Sequence, residues 1–120
     1  MTLSEISERC QYGLWYLAQP YTDPDEEVME QRFIEACRVS ACLFRNGVLV
    51  FSPIAHTHPI AVHGDLPKGF EFYERYDKAM IDRCSGVIVL QLPGWKDSVG
   101  VAAEIRYAKV RHRPVFGLSA

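Results

Sequence analysis

Strand, turn and helix signals follow one another in GVIVLQLPGWKDSVGVAAE, residues 86–104. Its first seven residues are almost all apolar and rich in valine, which predicts a buried strand over 86–92. Pro93-Gly94 breaks the strand, and a helix is predicted from Ser98 to His112. A helix that starts with small residues presents free N–H groups and a positive dipole end, a site suited to an anion. Glu104 follows on the same helix, so this segment places an acid beside a predicted anion site.

Strand and helix signals alternate along the rest of the chain. Further strands are predicted at Leu14–Ala18, Val48–Phe51 and Pro114–Gly117. Further helices are predicted from the cap at Thr22-Asp23-Pro24 to Arg45 and from Phe70 to Cys84, the first with Phe33, Cys37, Ala41 and Phe44 on one face. Residues 52–69, with three prolines, three histidines and two glycines, are predicted to form one long connection. The alternation predicts a three-layer, flavodoxin- or Rossmann-like α/β fold. Its parallel sheet has four to five strands, with helices on both faces.

Composition limits the class of protein. At 120 residues the chain is expected to form a single domain over 1–120. A net charge of −2 argues against bulk binding of nucleic acid or membranes, and no apolar run is long enough to span a bilayer. The first ten residues are polar and do not resemble a signal peptide. Four cysteines without CxxC spacing indicate reduced thiols in a cytoplasmic protein, with Cys37 and Cys42 interpreted as core thiols.

A second acid interrupts an apolar stripe. The predicted helix from Phe70 carries Asp77 at helical spacing among apolar and aromatic residues: Phe70, Tyr73, Met80, Ile81 and Cys84. A carboxyl group in that setting is either paired, with a backbone group or an arginine such as Arg106, or kept partly protonated by desolvation. In the second case it suits a general acid. Asp77 and Glu104 are therefore a candidate carboxylate pair at the carboxyl ends of the strands.

The chain resembles the nucleoside 2-deoxyribosyltransferase-like superfamily, which includes 2′-deoxynucleoside 5′-monophosphate N-glycosidases. Within it, the likeness is strongest to a branch of small proteins described only as a domain of unknown function. The resemblance rests on motifs spread over most of the chain: Trp15-Tyr-Leu-Ala-Gln-Pro-Tyr21, Phe51-Ser-Pro53, the Asp77 helix, and Ser98-Val-Gly-Val-Ala-Ala-Glu104 with Tyr107-Ala108.

The resemblance implies a role for each matching residue. Glu104 is implied as the nucleophile that attacks the anomeric carbon, and Asp77 as the group that assists departure of the base. Two carboxylates in different environments agree with glycosyl transfer. Ser98 matches a position that contacts the 5′ end of the sugar, where serine accompanies a 5′-phosphate and an acid accompanies a free nucleoside. Tyr16 is implied as a ligand contact from the first strand. No cofactor or metal is implied, and a homodimer or homotetramer is expected.

Further substrate contacts are expected around these residues. Gly100 shares the helix start with Ser98, Tyr21 leaves the end of the first strand, and Trp95 stands at the pocket mouth, where it either stacks on a base or lies at a subunit contact. Three histidines, His56, His58 and His63, together with Asp65 could supply ligands to a zinc ion, but their spacing matches no metal-binding motif. His56 and His58 are instead expected to line the pocket. Lys68 and Arg45 are possible phosphate partners.

The leading hypothesis from the sequence is an N-glycosidic bond hydrolase or transferase that acts on a nucleoside 5′-monophosphate or related nucleotide through a covalent glycosyl-glutamate intermediate. The superfamily often has glycine where this chain has Ala18, Ala102 and Arg106. Because a ligand cannot approach the backbone of these residues as closely as that of glycine, the identity of the substrate is left open. Two alternatives remain open. One is an NAD-type glycohydrolase that uses the same glutamate, and the other is a nucleotide-binding or sensing module without turnover.

Overall fold

Four short strands form one parallel sheet in the computed structural model, which describes residues 1–120. The strands are β1 (Leu14–Ala18), β2 (Leu49–Phe51), β3 (Gly86–Gln91) and β4 (Val115–Ser119). Their order across the sheet is β2-β1-β3-β4, and each neighbouring pair runs parallel. The predicted parallel sheet is therefore confirmed, with four strands.

Five helices cover both faces of the sheet. They are α1 (Leu3–Arg9), α2 (Glu26–Arg45), α3 (Pro53–Gly64), α4 (Phe70–Arg83) and α5 (Val99–Val110). One core contains residues of α1 and α2, and a second core on the opposite face contains residues of α4 and α5. The helix α3 contacts α2 and β1. This arrangement confirms the predicted three-layer α/β fold. None of the helices has the length and apolar character needed to cross a bilayer.

Side-chain alternation along β1 assigns its residues to the two cores. Trp15 and Leu17 pack with α1 and α2, whereas Tyr16 and Ala18 pack with α4 and α5. Successive residues of a strand point to opposite faces, which explains the division. Tyr16 thus points towards the two helices that carry Asp77 and Glu104.

The strand order creates a crevice at one edge of the sheet. The chain leaves β1 for β2 on one side and then crosses to β3 on the other, so the direction of winding reverses between β1 and β3. Open parallel sheets bind ligands at such a switch point, outside the carboxyl ends of the strands. The residues that follow β1 and β3 therefore face one another across this crevice.

The prediction of one long connection over residues 52–69 was wrong, because most of this segment is the helix α3. Ser52 caps the helix by accepting a hydrogen bond from the Ala55 N–H at 3.1 Å. Pro53 occupies the first turn, where a backbone N–H has no intrahelical partner in any case. Pro59 lies inside the helix, and the helix ends before Asp65, which has a left-handed backbone with φ of 53°.

Three local predictions on α2 and one omission also need correction. The helix begins at Glu26 with Asp25 as its cap, not at Pro24. Its buried residues are Met29, Ala36, Ser40 and Leu43, so the predicted face of Phe33, Cys37, Ala41 and Phe44 was rotated from the true one. Cys37 is exposed and is not a core thiol, while Cys42 is partly buried. The short helix α1 was not predicted.

Candidate active site

A cavity of about 590 Å³ opens at the crevice between the segments that follow β1 and β3. Four of the predicted site residues line it: Tyr21, Ser98, Gly100 and Glu104. Others of its residues come from α2, α3 and the start of α4. Its size and its position at the switch point are typical of a small-molecule site.

The N-terminus of α5 forms one side of this cavity. Ser98 is the cap, and its hydroxyl accepts a hydrogen bond from the Val101 N–H at 3.2 Å. The N–H groups of Val99 and Gly100 have no partner within the protein, as expected in the first turn of a helix. Gly100 packs against the ring of Phe70, since a β-carbon built on it would lie 3.2 Å from Phe70 Cδ1. The helix start thus offers free donors towards the cavity.

Glu104 lies two turns into α5 and is almost fully buried, yet it reaches the cavity wall. The hydroxyl of Tyr16 donates a short hydrogen bond to its Oε2. Burial raises the pKa of Glu104 to about 8, and the Asp77 carboxylate also raises it, whereas the Tyr16 hydrogen bond opposes the rise. The Tyr16 hydroxyl is the hydrogen-bond donor that stabilises the ionised Glu104 carboxylate. A buried carboxylate with so little stabilisation of its charge is well suited to react with a ligand.

Asp77 is buried on α4, and its Oδ1 has no hydrogen-bond partner. Burial raises its pKa to about 7, and the nearby Tyr16 hydroxyl, whose hydrogen is donated to Glu104, opposes the rise. Arg106, the partner considered from the sequence, is exposed and makes no ion pair with Asp77. Asp77 lies behind the cavity wall, although Tyr73, one turn earlier on α4, lines it.

Tyr16 connects the two carboxyl groups. Its side chain has no exposed surface, and its hydroxyl interacts with Glu104 directly and lowers the pKa of both acids. Burial and the two nearby carboxylates raise the pKa of Tyr16 well above its usual value, so it remains a proton donor. With values of about 7 and 8, the acid pair holds about one proton between these pH values.

Arg32 on α2 is a site residue that the sequence analysis missed. It lines the cavity, and its Nη1 donates to the carbonyl oxygens of Tyr21 and Thr22 at 3.2 and 3.3 Å. Its Nη2 has no partner in the protein and lies beside Gly94, where a built β-carbon would be 3.5 Å away. No local spacing signals this contact, because α2 and the loop after β3 are distant in the sequence.

The remaining charges on the wall have mixed sign. Lys68 lines the cavity, and its Nζ lies 4.0 Å from Glu26. Arg45 stands at the far end of α2 and does not line it. Asp97 lies on the wall in a short 3₁₀ turn, Trp95–Asp97, and is exposed; Ser98, not Asp97, caps α5. Arg32 and the α5 N-terminus form the positive side of the cavity, but Asp97 directly precedes that N-terminus, and Asp23 and Glu71 add two further carboxylates to the wall.

His58 does not line the cavity but contacts Tyr21, which does. It is buried on α3, with its ring stacked 4.4 Å from that of Phe33. Its Nδ1 lies 2.5 Å from the Tyr21 hydroxyl and its Nε2 lies 2.7 Å from Glu30 Oε2. The Glu30 carboxylate can only accept, so Nε2 carries a hydrogen. Both ring nitrogens of His58 are thus engaged in hydrogen bonds within the protein, and His58 contributes to the site by holding the Tyr21 hydroxyl in place.

His56 and Trp95 lie outside the cavity wall. His56 is exposed on α3 and packs against Phe51 and Tyr76. Trp95 packs against the core on the α4 and α5 side. The histidines of residues 56–63 have no arrangement with other side chains that would hold a metal ion, and no such group is found elsewhere.

The fold has a cavity at its switch point, with one buried acid on the wall and a second acid behind it, and this arrangement defines a candidate small-molecule site in an α/β protein. The chain belongs to the family that shares a domain of unknown function, DUF1937, whose model matches residues 13–120. A comparison with curated proteins found no match. The family match confirms the likeness to a domain of unknown function, while the link to the deoxyribosyltransferase-like superfamily stays a prediction.

Proposed function

We propose that this protein cleaves or exchanges the N-glycosidic bond of a nucleoside 5′-monophosphate or related nucleotide. The observation that carries the proposal is the position of Glu104, which is buried, accepts a hydrogen bond from Tyr16 and still lines the cavity. A carboxylate that reaches a ligand cavity can serve as the nucleophile of a retaining glycosyl transfer, and a second buried acid on the neighbouring helix supports an acid–base role. The superfamily resemblance in the sequence agrees with this chemistry.

In the first step, an oxygen of ionised Glu104 forms a bond to the anomeric carbon of the sugar. The bond from that carbon to the base nitrogen breaks, and its electron pair leaves with the base. Because Asp77 does not line the cavity, its proton reaches the base through a water molecule, which takes the proton from Asp77 as it gives one to the base. In the second step, a water molecule attacks the same carbon and its proton returns to Asp77 by the same route, while the ester to Glu104 breaks. The products are the free base and the sugar phosphate, and both acids return to their initial states.

The reaction needs Glu104 ionised and Asp77 protonated. Burial raises the pKa values of both acids into the neutral range, so the pair can share one proton near neutral pH and either acid can carry it. Tyr16 supports the reactive arrangement, because its hydrogen bond to Glu104 favours the ionised form. The reactive state is therefore accessible near neutral pH.

A 5′-phosphate fits the positive side of the cavity. The free N–H groups of Val99 and Gly100 and the hydroxyl of Ser98 lie at the dipole end of α5. The Nη2 of Arg32 comes towards the same region beside Gly94. An acid in place of Ser98 would repel a phosphate, and the serine is compatible with one. This support favours a monophosphate over a free nucleoside.

Chromatography for free base tests the proposal. The purified protein is incubated with deoxyribo- and ribonucleoside 5′-monophosphates, with the matching nucleosides and with NAD. We expect base release from at least one monophosphate, a much slower release from its nucleoside, and loss of release in Glu104→Gln. Release of nicotinamide alone would favour the NAD-type alternative. Ligand recovered unchanged from every mixture would overturn the enzymatic proposal and leave a binding module.

A further inference from the structure

Gln19 stands at the end of β1 with a buried carbonyl oxygen that has no hydrogen-bond partner. Its side chain is only 4% exposed, and the residue lines the cavity. Its amide nitrogen donates to the Arg32 carbonyl oxygen at 2.9 Å. That bond fixes which end of the amide is the oxygen, so Oε1 is a true unpaired acceptor. Buried polar groups are nearly always paired, because an unpaired one costs free energy.

The position of Gln19 relative to the acids follows from β1. Tyr16 points to the side of α4 and α5, where Glu104 lies, whereas Leu17 points to the side of α2. Gln19 continues the alternation two residues after Leu17, and its bond to Arg32 of α2 agrees with this direction. Both Gln19 and Glu104 line the cavity, so a ligand in the crevice can contact both residues.

The same geometry links Gln19 to the sugar end of a nucleotide. Arg32 accepts the Gln19 amide through its backbone and extends its guanidinium to Gly94, next to the start of α5. The proposed phosphate is assigned to that region, and we take the part of the ligand that reaches Gln19 to be the sugar, which joins the phosphate to the anomeric carbon. A sugar hydroxyl is a hydrogen-bond donor, which an unpaired carbonyl oxygen requires.

We infer that Gln19 Oε1 accepts a hydrogen bond from the 3′-hydroxyl of the substrate's sugar, which is the free sugar hydroxyl of a 2′-deoxynucleoside 5′-monophosphate. Gln19 thereby selects ligands that carry a 3′-hydroxyl. The inference rests on the proposed function, since it takes the ligand to be a nucleoside 5′-monophosphate. It assigns Gln19 a role in substrate specificity, whereas Glu104 and Asp77 remain the residues proposed to carry out the reaction. A ligand without the hydroxyl would leave Oε1 buried and unpaired.

Binding to the Glu104→Gln variant tests this inference without any dependence on turnover. The ligands are a 2′-deoxynucleoside 5′-monophosphate and its 2′,3′-dideoxy counterpart, measured by calorimetry. We expect the dideoxy compound to bind about ten-fold more weakly, the usual effect of one buried hydrogen bond. Adding Gln19→Met keeps the volume and removes both the acceptor and the hydrogen bond to the Arg32 carbonyl oxygen. The loss of the second bond affects both ligands alike, because both carry the phosphate, so the two affinities should become equal. Adding Ser40→Ala, which removes another unpaired buried hydroxyl, away from the cavity, should leave the ten-fold ratio in place.

The outcomes separate the two proposals. Equal affinities for the two ligands before Gln19 is changed, or a ratio that survives Gln19→Met, overturn the role of Gln19 and leave the proposed function standing. An effect of Gln19→Met that follows the identity of the base instead of the hydroxyl also overturns it. If no nucleotide binds at all, the proposed function fails together with the inference. The first comparison changes only the ligand, so it holds even if Gln19→Met does not fold.

Discussion

Replacing Tyr16 by phenylalanine removes one oxygen from the centre of the proposed site. The ring is completely buried and keeps its packing, so the change is confined to the hydrogen bond to Glu104 and the effect on Asp77. A hydrogen bond to a charged group is worth about 1.5–3 kcal/mol, which corresponds to between one and two pH units and to a rate factor of about 10 to 100. Tyr16 lowers the pKa of both acids, so both pKa values should rise in Tyr16→Phe.

The pH dependence of kcat/KM for base release reports this change. In the wild-type protein, ionisation of Glu104 and protonation of Asp77 together predict a bell-shaped profile with its maximum between pH 7 and 8. In Tyr16→Phe the whole bell should move to higher pH by roughly one unit or more, and the rate at pH 7 should fall about 10- to 100-fold.

Tyr107→Phe is the matched control. Its hydroxyl contacts both oxygens of Asp82 at 2.8 Å, so the variant also breaks a tyrosine–carboxylate bond to an α4 residue. Neither residue lines the cavity, and the profile should stay unchanged. If Tyr16→Phe leaves the profile in place, or if Tyr107→Phe moves it equally, then Tyr16 does not tune the acid pair and the reasoning is refuted.

Three further predictions follow from the same contacts. The folded pKa of Glu104 is raised from 4.5 to about 8, so its contribution to stability is complete below pH 4.5 and lost as pH rises through 8. Glu104→Gln should therefore raise the free energy of unfolding by about 1–3 kcal/mol at pH 8 and hardly at pH 5, and equal effects at both pH values would contradict this. Arg32→Gln should weaken binding of a monophosphate about ten-fold or more and spare the matching nucleoside, whereas Arg45→Gln should change neither; calorimetry decides. A thiol reagent should modify exposed Cys37 quickly and Cys84 slowly, since burial raises the pKa of Cys84 to about 11, and equal rates by mass spectrometry would argue against this placement.

The layer structure was predictable because strand and helix signals alternate along most of the chain. The valine-rich strand before Pro93-Gly94 and the helix after Ser98 were found where the sequence places them, with ends shifted by one or two residues. The helix α3 was missed because prolines and glycines were read as loop signals. Pro53 occupies a first turn, where proline is favourable, and Ser52 supplies the cap. The helix α1 had a readable signal in its capping box of Thr2 and Glu5.

The acid pair of the candidate site could be predicted from the sequence, whereas the roles of Arg32 and Gln19 could not. Asp77 on an apolar stripe and Glu104 after a helix start are local patterns, and Tyr16 came from the resemblance. Arg32 and Gln19 acquire their roles only when α2 folds against the carboxyl ends of β1 and β3. A burial pattern on α2 that was misread by one residue also hid which of its side chains face the crevice. Contacts between distant segments leave no periodicity in the sequence.

A covalent intermediate on Glu104 is the central claim, and mass spectrometry of the intact protein tests it most directly. The protein is mixed with a nucleoside 5′-monophosphate whose sugar carries fluorine at carbon 2, which slows the hydrolysis of glycosyl esters in retaining enzymes. We predict a mass increase equal to one sugar phosphate, located by peptide mapping at Glu104, and no increase in Glu104→Gln. Base release without any adduct, or an adduct that persists in Glu104→Gln, would contradict the claim that Glu104 is the nucleophile.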